Sequence, residues 1–203
     1  MSNLHPVKTA GIFDSDPANR WQFFLDELMR FTPTKLADAW VVEPELHQDN
    51  RGLFARTYCA REFGERGLQD SFVQCNTSWN LQKGALRGLH YQLAPSSEVK
   101  LVRCTAGALL DVIVDLRPGS LTYLQYIAVE LTAKNRLALY IPQMFAHGFQ
   151  TLEDGTEVFY QMSEFYAPKL ARGLRYDDPK LGIKWPLSVT SISDRDQAWA
   201  LLP

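Results

Sequence analysis

Cysteine, histidine and net charge are all scarce in this 203-residue chain, and each shortage removes a class of protein. The three cysteines, Cys59, Cys75 and Cys104, are odd in number and show no C-x-x-C spacing. They imply neither a disulfide framework nor a zinc knuckle, and buried free thiols are expected. Basic and acidic residues nearly balance, 21 against 23, for a net charge of −2. No basic block is present to follow a phosphate backbone, so nucleic acid is not an expected partner. No run of about 18 apolar residues is available to span a bilayer. Met1 to Gly11 lacks the apolar centre of a secretory signal, and a soluble, cytoplasmic protein without a membrane partner is expected. What is present is enough apolar sequence, 46% of residues, to bury the core of one domain with an appendage.

Asp16-Pro17 reads as a cap followed by proline at the first helical position, and Trp21, Phe24, Leu25 and Leu28 recur at helical spacing. This predicts a helix from about Pro17 to Phe31, with an apolar stripe that packs on the main body or on a second subunit. Thr32-Pro33-Thr34 ends it, and the boundary falls near Leu36, giving an extension over 1–37 and a main domain over 38–203. From Trp40 onward the texture is β. Apolar and β-branched runs lie near 39–44, 53–58, 72–78, 84–92, 100–104, 107–116, 123–131, 137–141, 147–152 and 157–163, separated by turns such as Arg117-Pro118-Gly119-Ser120. Such closely spaced strands predict an all-β sandwich or barrel. Pro168, Pro179 and Pro186 mark an irregular C-terminal region with room for short helices only.

Two stretches stand out. In GALRGLHYQ, Gly84 to Gln92, an arginine, a histidine, a tyrosine and a glutamine follow a glycine turn. On a strand His90 and Gln92 share one face, and Leu89 and Tyr91 the other. In YIPQMFAHGFQ, Tyr140 to Gln150, His147 follows a proline and lies among Phe145 and Phe149, as if a second strand delivered another imidazole into an apolar cavity.

The blocks LRGLHYQ, KLVRC, DVIVDLRPGS, YIPQMFAHGF, YDDPKLGIKWP and SDRD follow one another in an order and spacing by which residues 38 to 203 resemble the dTDP-4-dehydrorhamnose 3,5-epimerases. The resemblance implies a dimeric, cupin-type jelly-roll β-barrel that holds a nucleotide sugar inside and uses no cofactor. A ketone at C4 of a sugar acidifies the hydrogens at C3 and C5. Inversion then needs a base on one face, an acid on the other and a group that holds the enolate oxygen. Histidine suits the base, since its pKa lies near working pH. The resemblance gives that role to His90, with Asp196 as the carboxylate that fixes its tautomer; from the residues alone Asp194 competes with Asp196. It makes Lys100 the oxyanion stabiliser and Tyr160 the acid. Taken singly, Lys100 reads as a solvated charge and Tyr160 as half-buried packing. The resemblance also implies ligand contacts from Arg87, Gln92, Tyr166, Asn76 and Ser78, from His147 near the phosphates, and from Arg51, Phe54 and Arg56 toward the nucleotide.

A metal cupin is the rival on the same fold, but it needs a second histidine where this chain has Gln92, and His90 with His147 alone are too few ligands for a tight divalent ion. A sugar 3,4-ketoisomerase and an epimerase inverting one centre on another nucleotide sugar are the enzyme alternatives. A sugar-nucleotide-binding cupin without activity would be expected to lose one of the four catalytic residues, and none is lost. Three positions depart from the family pattern: Arg56 replaces a glutamate that meets the nucleotide base, Met144 replaces a glycine, and Ala171 replaces an acid. Arginine has donors only, so Arg56 predicts weaker binding of the dTDP-sugar or a preference for another nucleotide.

Overall fold

The computed structural model describes residues 29–203. In chain order it contains β1 (Arg30–Pro33), β2 (Trp40–Glu43), β3 (Leu46–Asp49), β4 (Gly52–Ala55), α1 (Ala60–Gly64), β5 (Gln74–Asn80), β6 (Leu86–Gln92), β7 (Lys100–Ala106), β8 (Ala108–Asp115), β9 (Tyr126–Thr132), β10 (Ala138–Ile141), β11 (Phe145–Thr151), β12 (Thr156–Met162), β13 (Ala171–Gly173) and α2 (Asp194–Gln197). Six strands form one antiparallel sheet in the order β1-β2-β10-β7-β12-β5, and five form another in the order β13-β6-β11-β8-β9. The two face each other as a cupin-type jelly roll. A separate hairpin pairs β3 with β4.

Strand alternation decides what lies between the sheets. Val102 and Cys104 of β7, Val158 of β12, Leu109 and Ile113 of β8, and Phe145 and Phe149 of β11 meet in one buried cluster. Val112 and Val114 of β8 and Ala146 of β11 face the other way, onto Leu174 and Leu181 of the C-terminal segment. Covered on both sides, β8 reads as an almost unbroken apolar run, as a strand buried on both faces should. A third cluster, built on Phe63 of α1 with Leu101 and Tyr140, covers the outside of the six-stranded sheet.

The helix expected over Pro17 to Phe31 falls, through residue 28, outside the described residues. Its last two positions are strand: Arg30 and Phe31 pair with Glu43 and Val42, because the Phe31 ring packs edge-on against Phe63 at 5.0 Å. The boundary near Leu36 moves accordingly, since β1 belongs to the main sheet and Leu36 is wholly buried in the core. Of the thiols expected to be buried, Cys104 is, while Cys75 is exposed.

Candidate active site

Between the sheets, a cleft of about 1020 Å³ is lined by side chains of β5, β6, β7, β11 and β12 and of the segment around α2. That is ample for a nucleotide sugar. The strands that build the core also build the cleft: on β7 the inward positions run Cys104, Val102, Lys100, and on β12 they run Val158, Tyr160, Met162.

His90 comes from β6. Its Nε2 lies 2.6 Å from Oδ1 of buried Asp196. The other carboxylate oxygen accepts the Gly88 N–H at 3.1 Å, and the Asp196 N–H donates to Oγ of Ser193, the N-cap of α2, at 3.1 Å. Burial alone would raise the Asp196 carboxyl. The hydrogen bond and charge of His90, with the Gly88 amide and Ser193, outweigh burial and hold the group below its ordinary value. Asp196 is therefore an anion that orients the imidazole, and Asp194, which shares its short helix, is not its competitor.

β6 departs from simple alternation. Its register against β11 shifts, with His147 opposite His90 but Phe149 opposite Arg87, so three residues of β6 span two of β11. The extra residue turns Arg87 to the cleft side along with His90. Gly88 permits it: φ there is +117°, and a Cβ would lie 2.5 Å from the Gly148 Cα.

The opposite sheet carries the other two groups. Lys100 is buried, with Nζ 2.5 Å from Glu98 Oε1 and donating to the His90 carbonyl at 3.4 Å. Tyr160 lines the cleft from β12. Burial pushes its phenol up, Arg87 draws it down and Glu98 adds to the rise, so the net shift is upward and the phenol keeps its proton at neutral pH. The imidazole thus stands on one wall, and the phenol and ammonium on the other.

The cleft also gathers Ser78, Arg87, Gln92, His147 and Tyr166. Arg87 donates to Asn80 Oδ1 at 2.7 Å, and Tyr166 accepts from Arg195 at 3.4 Å. Gln92 is occupied by backbone: its amide nitrogen donates to Ser96 and Phe165 carbonyls and its oxygen accepts the Ala167 N–H. It pins the loop that carries Tyr166. His147 presents Nε2 to Oδ1 of buried Asp111 at 2.7 Å, a second imidazole–carboxylate pair beside the first.

Four expected residues do not join this cleft. Asn76 turns to Gln74 and Met162. Arg51 pairs with Asp49 on the β3–β4 hairpin, where Phe54 is 58% exposed. Arg56 pairs with buried Glu62 at 2.9 Å, so the guanidinium expected at a base edge is held by a carboxylate of its own chain. Two residues were not anticipated. Glu98 sits two positions before Lys100 in an extended segment, a spacing that shares a face. Asp111 is an acid in the middle of the apolar run of β8, itself a sign of a buried partner.

A family model described as dTDP-4-dehydrorhamnose 3,5-epimerase matches residues 33–203. The chain belongs to this family. The dTDP-4-dehydrorhamnose 3,5-epimerase of Methanothermobacter thermautotrophicus is 43% identical over 173 residues, spanning 84% of this chain and 92% of that one. Among solved structures, the Bacillus anthracis enzyme with TDP and PPi bound superposes with a TM-score of 0.83 at 39% identity, covering 86% of this chain and 99% of that one. The Legionella pneumophila enzyme in complex with dTDP-4-keto-L-rhamnose gives 0.81 at 39% identity, covering 85% and 92%. The protein is an isomerase of the carbohydrate epimerase class. No helix among the described residues is long and apolar enough to cross a membrane.

Proposed function

We propose that this epimerase inverts C3 and C5 of a dTDP-linked 4-keto-6-deoxy sugar, with His90 as base, Tyr160 as acid and Lys100 at the enolate oxygen. The observation that carries the reading is the division of groups between two walls, with the imidazole–carboxylate pair on one sheet and a protonated phenol beside a buried ammonium on the other. With Asp196 ionised, His90 donates its Nε2 proton to that carboxylate and Nδ1 keeps the lone pair that takes a substrate proton. The imidazolium so formed is stabilised by Asp196. Negative charge moves to the C4 oxygen, where Lys100 in a largely water-excluded site stabilises it without reorganisation. Tyr160 then gives its proton to the opposite face of the carbanion, and the centre is inverted. The engagement of Arg56 by Glu62 removes the reason to expect another base, and the relatives crystallised with TDP and with dTDP-4-keto-L-rhamnose support thymidine.

A homodimer belongs to the same reading. The β3–β4 hairpin lies outside both main sheets and exposes Leu53 and Phe54, and a lone two-stranded ribbon is marginal in water. A second copy that received it would cover both apolar side chains.

Incubation with a dTDP-4-keto-6-deoxy sugar in deuterium oxide tests the chemistry. Wild type should wash deuterium into C3 and C5, and His90→Ala should slow exchange at least a hundredfold, the usual scale of a lost general base. Tyr160→Phe should spare exchange more than completed inversion, because the acid acts after the proton has left. Exchange by His90→Ala at the wild-type rate would remove the assignment, and deuterium at one carbon only would make the enzyme a single-centre epimerase. The reaction needs no metal in this scheme, since Lys100 brings the positive charge to the enolate oxygen. Activity should survive a strong chelator; its loss, with return on adding one divalent ion, would overturn that.

A further inference from the structure

Glu98 is a buried carboxylate on the wall of the cleft that the proposed chemistry does not use. Its Oε1 meets Lys100 Nζ at 2.5 Å. Its Oε2 is buried and has no hydrogen-bond partner in the protein. A buried acceptor left unpaired costs free energy and calls for an explanation. Each oxygen of an ionised carboxylate is an acceptor in its own right, so Oε1 can stay on Lys100 while Oε2 accepts from a ligand donor that reaches it.

The ligand's chemistry limits what that oxygen can meet. Phosphates and the C4 ketone are acceptors, and a carboxylate repels them. The donors of such a ligand are its hydroxyls and the thymine N3–H, and only a hydroxyl of the keto sugar lies next to the C4 oxygen. Lys100 and Glu98 together form an adjacent donor and acceptor, and their complement is an adjacent acceptor and donor: a ketone with a hydroxyl on the next carbon. Resting on the epimerase reading, we propose that Glu98 is a specificity-determining residue that accepts a hydrogen bond from the C3 hydroxyl while Lys100 donates to the C4 oxygen, so that the pair reads the hydroxy-ketone as a unit. Glu98 would then fix which way round the sugar lies between His90 and Tyr160, since turning the ring would set the ketone against the carboxylate.

Binding measured in a His90→Ala background, where the base is absent, tests this with three ligands: dTDP, the dTDP-4-keto-6-deoxy sugar and its counterpart lacking the C3 hydroxyl. The parent should bind the hydroxylated sugar roughly tenfold or more tightly than the deoxy one, the scale of a hydrogen bond to a charged group. Adding Glu98→Ala should bring that ratio close to one while dTDP affinity holds, which also reports a folded cleft. Adding Glu98→Gln, nearly isosteric and still an acceptor, should leave an intermediate ratio; if the alanine variant also loses dTDP, the glutamine variant decides. Equal weakening of both sugars, with the ratio unchanged, would overturn the proposal and leave Glu98 acting through Lys100 alone. The deuterium experiment separates this from the reaction. A ratio that collapses without wash-in by wild type removes the epimerase and keeps the hydroxyl contact, and wash-in with an unchanged ratio does the reverse.

Discussion

Met144 occupies a backbone position that suits glycine, the residue the family pattern has there. Its φ is +59°, held by its N–H donating to Ser97 Oγ and its carbonyl accepting from Leu116. A side chain in this region costs about 1–2 kcal/mol, while a glycine raises the entropy of the unfolded chain by about 0.4–1 kcal/mol. Met144→Gly should therefore raise stability by up to about 1.6 kcal/mol in denaturant unfolding, and the β-branched Met144→Val should lower it. A loss of several kcal/mol in the glycine variant would show that packing of the thioether, not backbone strain, governs the site. At this scale the sequence was partly legible. His90, Lys100 and Asp196 stand in recognisable blocks, Tyr160 is placed by the resemblance alone, and all four line one cleft. Arg56 misled, because its partner Glu62 lies on α1, a helix of five residues too short to leave a periodic signal. Glu98 and Asp111 leave only weak marks, a two-residue spacing from Lys100 and an acid amid apolar residues, and their burial shows only in the folded chain.

Among the elements, the strands with dense apolar runs were the readable ones, and β3 was not: Leu46-His47-Gln48-Asp49 has no β-branched residue and little to bury. The bulge on β6 was equally invisible, since strict alternation sends Arg87 away from His90 and only the fit of Gly88 against Gly148 reverses it. The link from β8 to β9 shows what a turn composition conceals. Arg117-Pro118-Gly119-Ser120 announces a turn, but Asp115 closes it, accepting from Arg117, Ser120 and Thr122 while Arg117 also reaches Asp38. Burial alone would raise the Asp115 carboxyl, and those hydrogen bonds outweigh it and hold the group far below the usual carboxylate range. A carboxyl depressed in the folded state adds stability above its unfolded pKa, near 3.9 for an aspartate, and loses it as pH falls toward the folded value. Asp115→Asn should cost about 3 kcal/mol at pH 7, the scale of breaking a buried pair. The gap to wild type should narrow as the pH is lowered below about 4. A gap independent of pH would assign the loss to packing.

For the whole molecule, the decisive question is where the hairpin goes. Arg51 and Phe54, the nucleotide residues implied by the resemblance, lie on β3–β4 and not on the cleft of their own chain. Both facts are reconciled if each cleft of a homodimer receives the hairpin of the other subunit. A two-fold arrangement makes the exchange reciprocal, and it would bury the Phe54 ring that the single chain leaves 58% exposed. Sedimentation should then find a dimer at micromolar concentration. Complementation tests the exchange itself: His90→Ala lacks the base but keeps its hairpin, and Phe54→Ala keeps the base but offers a defective hairpin. Each variant alone should be poorly active. Unfolded and refolded together in equal amounts, half of the dimers are mixed, and each mixed dimer holds one cleft with an intact base and an intact incoming hairpin. Activity should recover to about a quarter of wild type if subunits pair at random in a two-fold dimer. If hairpins served their own chains, no mixed dimer would contain a complete site and mixing would restore nothing.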